Sequence, residues 1–254
     1  MNKKISKVAV IAMMALSAFV TSSCLKNGEN VNTIVANNFC TVGPGTSSRY
    51  TFYMDDDIVV RLDSVSENRI YRTFGSKASR ISLIYQYNTQ DATIVDGVRH
   101  VYNAEVLNGT QLVKVDDIMT TEIAKSKNQL AADSVFEIRT LQAFYAHKGY
   151  ITCAVEGPYF SNGTKAAYPD INLIVDDKDI KENEMTIHLY YNCHANKKAS
   201  GYYVSTFAKS FPITSYSKLV PGNSDITLKL VLEGKTGSNV HTAKMTRGDF
   251  YLPF

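Results

Sequence analysis

The chain has 254 residues, enough for one large or two small domains, and its 27 Lys and Arg residues only slightly outnumber its 24 Asp and Glu residues. The excess comes from three lysines close to the N-terminus, so the rest of the chain is formally neutral. A neutral chain argues against nucleic acid or an anionic membrane surface as a partner.

The N-terminus has the three parts of a bacterial lipoprotein export signal. It begins with the three lysines, continues with an apolar run over residues 8–20 that is too short to span a bilayer, and ends with small residues before Cys24. The sequence therefore predicts a signal peptide over residues 1–23 and a lipid anchor on Cys24. The alternative is an ordinary signal peptide followed by a coincidental cysteine.

Residues 24–32 are polar and lack periodicity, which predicts a flexible tether between the lipid and the folded part. Only one acidic residue, Glu29, lies close behind Cys24. Because surface export in some Gram-negative bacteria is associated with acidic residues there, we expect the periplasmic face of the outer membrane rather than the cell surface.

The next part of the chain alternates between apolar and polar residues, as strands with one buried face do. Ile81, Leu83 and Tyr85 follow this pattern, and Asp96-Gly97 is typical of a tight hairpin turn. Five strands are predicted, over residues 32–40, 50–54, 58–65, 79–87 and 98–107, with an extension at 112–115 and a loop at 66–78. Five strands suit a small closed barrel, so residues 33–116 are predicted to form an OB-like β-barrel domain.

Only residues 117–133 have apolar residues near helical spacing, and the stretch is weakly apolar. It is predicted to be a linker or a short helix between two domains. Seven strands are predicted after it, over residues 135–145, 150–155, 171–175, 185–192, 202–211, 226–233 and 240–252, with a loop at 194–201. Seven regularly spaced strands suit a two-sheet arrangement, so residues 134–254 are predicted to form a β-sandwich domain. The predicted fold class is all-β.

This order of elements resembles the NigD-like lipoprotein family. The resemblance lies in the lipobox and in the strand sequences of residues 82–87, 101–106, 150–152, 171–174 and 186–190. It implies a Gram-negative envelope protein with an N-terminal OB-type domain and a C-terminal β-sandwich, and it implies no activity and no site residues. Where relatives often have a glycine-containing hairpin, this chain has Asp55, Asp56 and Asp57, which leaves the register of that hairpin open.

Tyrosines are the candidate ligand-binding residues. The chain has 16 Tyr and 11 Phe but no Trp, and Tyr159, Tyr168, Tyr202 and Tyr203 lie in the predicted sandwich. A tyrosine can stack on a sugar ring and also form a hydrogen bond through its hydroxyl group. The alternative is that these residues only form strands and core.

Two weaker candidate sites involve acidic residues and serines. Asp176, Asp177 and Asp179 offer oxygen ligands for Ca²⁺, but they lack the EF-hand spacing, and an acidic turn is the favoured interpretation. Ser64 and Ser134 each lie between Asp and Val, a pattern that some gut bacteria O-glycosylate and that also arises by chance. We therefore predict neither a metal nor a cofactor.

Three cysteines remain beside Cys24, so they cannot all pair within the chain. Cys153 shares the apolar phase of a predicted strand, which favours a core position. Cys40 and Cys193 have no such signal, and the sequence assigns no disulfide.

The sequence carries no motif of nucleophilic, metal-dependent or nucleotide-dependent catalysis. We expect a non-catalytic envelope protein that is held to a membrane by the Cys24 lipid and binds a protein or a glycan, with no nucleic-acid partner. The alternative is an enzyme, for example a glycan-directed one, with its site at the domain junction.

Overall fold

The computed structural model describes residues 32–254 except 45–49, 76–77, 131–137, 162–165, 168, 194–200 and 235–237. The signal peptide, the lipid site at Cys24 and the tether up to residue 31 therefore lie outside the described residues, as do the predicted loop residues 194–200. The chain is mostly β-strand, which confirms the predicted fold class. None of the described helices has the length and apolar character that crossing a membrane requires.

The chain divides into two compact units, one up to Leu112 and the other from Val113 to Pro253. The strands of the first unit are β1 (Thr33–Gly43), β2 (Thr51–Met54), β3 (Val59–Leu62), β4 (Arg80–Asn88), β5 (Ala92–Val95), β6 (Val98–Val106) and β7 (Gln111–Leu112), with helix α1 (Ser64–Phe74) after β3.

Five strands of the first unit close into a barrel in the order β1-β2-β3-β6-β4, with β4 pairing back to β1. The β3–β6 pair is parallel and the other pairs are antiparallel, and α1 connects β3 to β4. This is the OB-type barrel that the sequence predicts. Its interior is filled by alternate strand residues, among them Phe52, Val60, Ile81, Leu83 and Val101.

The β2–β3 hairpin, whose register the sequence left open, is closed by the acidic residues themselves. Phe52 pairs with Val60, and the Met54 amide donates to the Ile58 carbonyl at 2.8 Å. Asp57 has a φ of 65° and so occupies the left-handed position that a glycine would otherwise take.

The predicted loop at residues 66–78 is wrong, because Ser64–Phe74 form helix α1. Asp63 caps the helix, since its carboxylate accepts from the Ser66 amide at 2.7 Å. Strand β3 ends at Leu62, directly before Asp63, whereas the sequence predicted that it continues to residue 65. The helix buries only Ser66 and Ile70 on the barrel, so its apolar periodicity is too weak to show in the sequence.

The second unit is a sandwich of two sheets. Its strands are β8 (Lys114–Val115), β9 (Thr140–His147), β10 (Tyr150–Ser161), β11 (Ala166–Ala167), β12 (Asp170–Ile174), β13 (Ile180–Lys181), β14 (Glu184–Asn192), β15 (Gly201–Pro212), β16 (Ile226–Glu233) and β17 (Ser238–Met245). The first sandwich sheet is β9, β10, β11, β15 and β8, and the second is β12, β13, β14, β16 and β17. Seven of these strands overlap the seven predicted ones, and β8, β11 and β13 are additional. The core between the sheets includes Ile151, Val155, Leu173, Ile187 and Leu228.

The connection between the units differs from the prediction. Residues 113–116, assigned to the barrel in the sequence analysis, lie in the second unit, because β8 pairs in parallel with Lys209 and Ser210 of β15. Residues 117–130 are part of this unit too. Met119 bridges to Ile174, and helix α2 (Thr121–Ser126) buries Ala124 against both.

The C-terminus is held by a turn rather than by the predicted strand over residues 240–252. Strand β17 ends at Met245, and Arg247–Phe250 form a 3-10 helix. Thr246 and Asp249 cap that helix reciprocally, and Phe250 is fully buried. The reciprocal cap breaks the alternation that the last apolar residues suggest.

Cys40, Cys153 and Cys193 are all buried, and no disulfide joins any two of these three described cysteines. The core position predicted for Cys153 is confirmed, because its side chain is fully buried in the sandwich.

Candidate functional site

Two of the four candidate tyrosines meet on the first sandwich sheet. Tyr159 of β10 and Tyr203 of β15 lie opposite each other in the antiparallel ladder, with ring centroids 5.6 Å apart and ring planes at 33°. The Phe207 ring lies edge-on to Tyr159 at the same centroid distance. Tyr203 is 56% exposed, Tyr159 is half-buried, and Phe207 packs against the sandwich core. We call these three residues the aromatic cluster.

The cluster is exposed because strands β10 and β15 extend beyond their neighbours. They pair with each other over all twelve residues, from Tyr150–Pro212 to Ser161–Gly201. On the other side of β10, however, β9 pairs only with residues 150–156. Strand β11 covers Phe160 and Ser161 alone. The Tyr159–Tyr203 pair therefore lies at the end of the ladder, where few neighbouring strands cover it.

Gly157 marks the end of the covered part of the ladder. A Cβ atom there would lie 2.7 Å from the ring of Tyr191, a fully buried residue of the second sheet. The Tyr191 hydroxyl donates to the Pro158 carbonyl at 2.8 Å. This close contact between the two sheets fixes the backbone of β10 directly before Tyr159.

Lys209 anchors β15 at the other end. Its ammonium is buried, donates to the Ile171 carbonyl of β12 at 2.8 Å and pairs with the Asp116 carboxylate. Burial lowers the pKa of Lys209, and the hydrogen bond to Asp116 offsets part of that effect. The lysine thus ties the strand that carries Tyr203 and Phe207 to the second sheet.

The other two candidate tyrosines add nothing to this geometry. Tyr168 lies outside the described residues. Tyr202 lies on β15 opposite Phe160, and the structure describes only its backbone. Phe207 was not among the candidates. Its signal was the spacing of aromatic residues along β15, where Tyr203, Phe207 and Phe211 recur every fourth residue.

Two of the three acidic residues suggested for Ca²⁺, Asp176 and Asp179, have structural roles. Asp176 caps the 3-10 helix Asp177–Asp179, and its carboxylate accepts from the amide and the hydroxyl of Thr121 at 2.8 and 2.6 Å. These hydrogen bonds lower the pKa of Asp176. Asp179 accepts from the Asp176 amide at 3.0 Å. Among the described residues, no group of three or more His, Cys, Asp or Glu side chains is arranged to hold a metal ion.

Of the two candidate glycosylation sites, only Ser64 is described. It is the first residue of α1 and is exposed, as is the Val65 side chain that follows it. Ser134 lies outside the described residues.

The barrel contains a concave site that the sequence analysis did not find. A cavity of about 310 Å³ opens beside strands β4, β5 and β6. Its walls are formed by Ile34, Tyr87, Thr89, Ala92, Thr93, Ile94 and Arg99. No sequence motif marks it, because the residues come from four separate strands (β1, β4, β5 and β6) and a connecting turn.

Chemically, the aromatic cluster offers ring faces and two phenolic hydroxyls. Such rings stack on flat apolar surfaces, and the hydroxyls donate and accept hydrogen bonds. This combination suits binding of a ligand that is apolar on one face and polar at its edges.

Comparisons with known proteins show the fold. No protein-family model matches the sequence, and no curated protein sequence matches it significantly. Solved structures do match. A candidate toxin-related protein from Parabacteroides distasonis has a TM-score of 0.57 and 17% identity, covering 85% of this chain and 95% of that one. A candidate lipoprotein from Bacteroides fragilis has a TM-score of 0.53 and 11% identity, covering 87% and 100%.

The matching structures also include a NigD-like immunity protein from Bacteroides caccae, with a TM-score of 0.48 and 13% identity, covering 85% of this chain and 93% of that one. At these identities, the first two structures establish a shared fold and nothing about a shared activity.

Proposed function

We propose that the protein is a lipid-anchored, non-catalytic envelope protein of a Gram-negative bacterium that binds a glycan through the aromatic cluster. The observation that carries the proposal is the Tyr159–Tyr203 pair, two tilted rings at an exposed end of a two-stranded ladder. Tyr203 exposes more than half of its surface, so its ring is accessible to a ligand, and it lies beside a second aromatic ring.

A glycan suits the cluster better than a protein does, for reasons of size and chemistry. A stable protein interface buries roughly 800 Å² on each partner, far more than three rings and the neighbouring Val204 offer. A sugar ring has an apolar face that matches one tyrosine ring, and hydroxyl groups at its edge that match the phenolic oxygens.

The membrane anchor is supported by the N-terminal sequence. The lysines, the apolar run and the small residues before Cys24 form a lipoprotein signal, and a structure of the same fold from Bacteroides fragilis is described as a candidate lipoprotein. We place the protein on the periplasmic face of the outer membrane, where the tether over residues 24–32 holds the folded units near envelope glycans.

The test uses the mature, lipidated protein in detergent micelles. It is applied to an array of bacterial and plant oligosaccharides, and the strongest ligand is then titrated by calorimetry. We expect at least one oligosaccharide to bind saturably. We expect Tyr203→Ala to lower the affinity for it by about tenfold, since one aromatic contact contributes roughly 0.5–1.5 kcal/mol beyond the area it buries.

Tyr251→Ala is the matched control, because Tyr251 is 55% exposed and lies outside the cluster. It should leave the affinity unchanged. The proposal is wrong if no oligosaccharide binds the wild-type protein, or if the two variants weaken binding equally.

A further inference from the structure

The barrel has an open seam between β4 and β6. These strands pair only through Tyr85–Val106 and Gln86–Glu105. Beyond Gln86, β4 runs into a short 3-10 turn, and β5 replaces it as the partner of β6, pairing Ala92 with Val101 and Ile94 with Arg99. The change of partner separates the end of β4 from the start of β6. The cavity of about 310 Å³ occupies this gap.

The walls of the cavity are apolar on two sides. Ile34 and Tyr87 are cross-strand partners on β1 and β4, and Tyr87 is almost fully buried. Ala92 and Ile94 face them from β5. Ile94 is 62% exposed, although it is a large aliphatic residue beside a concave site. The volume lies at the lower end of the range for small-molecule sites.

Among the described residues that form the cavity wall, Arg99 is the only charged one. It lies opposite Ile94 on β6 and on the same strand face as Val101, which is buried inside the barrel. Its guanidinium forms no hydrogen bond or ion pair with any residue that the structure describes, including Asp91 and Asp96 of the adjoining turns. A guanidinium at an apolar wall favours a carboxylate, which it can bind through two parallel hydrogen bonds.

We propose that this cavity binds a small carboxylic acid with an apolar body, and that the Arg99 guanidinium holds the carboxylate. The apolar body lies between Ile34, Tyr87 and Ile94, and the hydroxyl of Thr89 accepts or donates a further hydrogen bond at its polar end. The site lies beneath the connection between β4 and β6, which are the fourth and fifth strands of the barrel in chain order. This connection is one of the loops that OB-type barrels use to bind ligands. It is separate from the aromatic cluster and does not depend on it.

The experiment titrates the mature protein with octanoate and phenylacetate, observed by saturation-transfer NMR and calorimetry. We expect at least one of them to bind with a dissociation constant of about 1 mM or less. Octanamide and phenylacetamide have the same apolar bodies without the charge, and glucuronate has the charge without the apolar body. The two amides should bind at least about tenfold more weakly because they cannot form the charge-assisted hydrogen bonds to Arg99, and glucuronate should bind at least about tenfold more weakly because it buries no apolar body.

Arg99→Gln should reduce the affinity for the acid to that of its amide, and Arg99→Lys should restore part of it. Arg72→Gln is the matched control, because Arg72 is an exposed arginine on α1 of the same unit and lies outside the cavity. Thermal unfolding of each variant shows whether the fold is kept. Tyr203→Ala should leave acid binding unchanged, which distinguishes this site from the glycan site. The proposal is overturned if neither acid binds, if the amides bind equally well, or if Arg99→Gln binds like the wild type.

Discussion

Arg80 and Asp55 form a buried, two-pronged ion pair in the first unit. The guanidinium donates to the two carboxylate oxygens at 2.8 and 2.6 Å and to the Thr41 hydroxyl at 3.0 Å. The Arg80 side chain is fully buried and that of Asp55 is 3% exposed. The pair joins the first residue of β4 to the turn that follows β2, so it fixes both to the neighbouring β1.

Removing one partner of this pair should destabilise the barrel strongly. Asp55→Ala leaves the Arg80 charge buried without its carboxylate, and breaking a buried pair in this way costs about 3–5 kcal/mol. Chemical denaturation of the mature protein should therefore show a large loss in the free energy of unfolding. Asp56→Ala, at the next and more exposed residue, is the control. A loss below about 1 kcal/mol for Asp55→Ala would show that water reaches Arg80.

The sequence predicted the barrel strands well but missed this ion pair, and the reason is physical. The alternation of Ile81, Leu83 and Tyr85 reports which face of a strand is buried, and that is enough to place five strands. Asp55 begins a run of three acids that has the composition of a solvated turn. Its burial depends on Arg80, 25 residues away, and no local pattern reports such a partner.

The 3-10 turn at the C-terminus should make stability depend on pH. Burial raises the pKa of Asp249, but hydrogen bonds from His147 and Thr246 lower it more, so that the pKa lies below its usual value of 3.8. A carboxyl whose pKa is lower in the folded state adds stability above its unfolded pKa and loses it as the pH falls through the folded one. This contribution is therefore present at pH 7 and is lost below about pH 4.

Asp249→Asn should accordingly lower the unfolding temperature at pH 7, and the difference from wild type should shrink as the pH falls below about 4. Calorimetry at a series of pH values measures both curves. Asp225→Asn, at an exposed turn, should give a curve parallel to wild type. A difference for Asp249→Asn that is constant from neutral to acid pH would contradict the assigned role.

Gly157 should be intolerant of a side chain. Its added Cβ would meet the Tyr191 ring at 2.7 Å, and that ring is buried and held by the Pro158 carbonyl. We expect Gly157→Ala to cost about 1–3 kcal/mol, as overpacking a core does. Gly248→Ala is the control, because the nearest atom there would be 3.5 Å away. Equal unfolding temperatures for the two variants would show that Tyr191 can move aside.

The candidate sites differ in how far the sequence could predict them. Tyr159 and Tyr203 could be proposed from the sequence because a tyrosine can both stack on a ligand and form a hydrogen bond with it. That the two rings lie together depends on the register of β10 with β15, which the sequence does not show. The cavity could not be named, since it arises where β5 replaces β4 as the partner of β6. Arg99 looks like any surface arginine until that change of partner is known.

The proposed lipid anchor leads to an expected mass for the N-terminal peptide of the mature protein. Protein purified from its native membrane should begin at Cys24, carrying a diacylglycerol on its sulfur, because the preceding small residues direct cleavage there. Mass spectrometry of the N-terminal peptide measures this. Cys24→Ser should release the protein from the membrane fraction, and an unmodified N-terminus at another residue would contradict the anchor.

Hydrogen exchange of the mature protein, with and without the strongest oligosaccharide ligand, tests the central claim most directly. We expect slower exchange on binding in the peptides that contain residues 157–161 and 201–207, where β10 extends beyond its pairing with β9. The barrel peptides should be unchanged. Protection that is confined to the barrel, or no protection in β10 and β15 at a saturating ligand concentration, would contradict a glycan site at the Tyr159–Tyr203 pair.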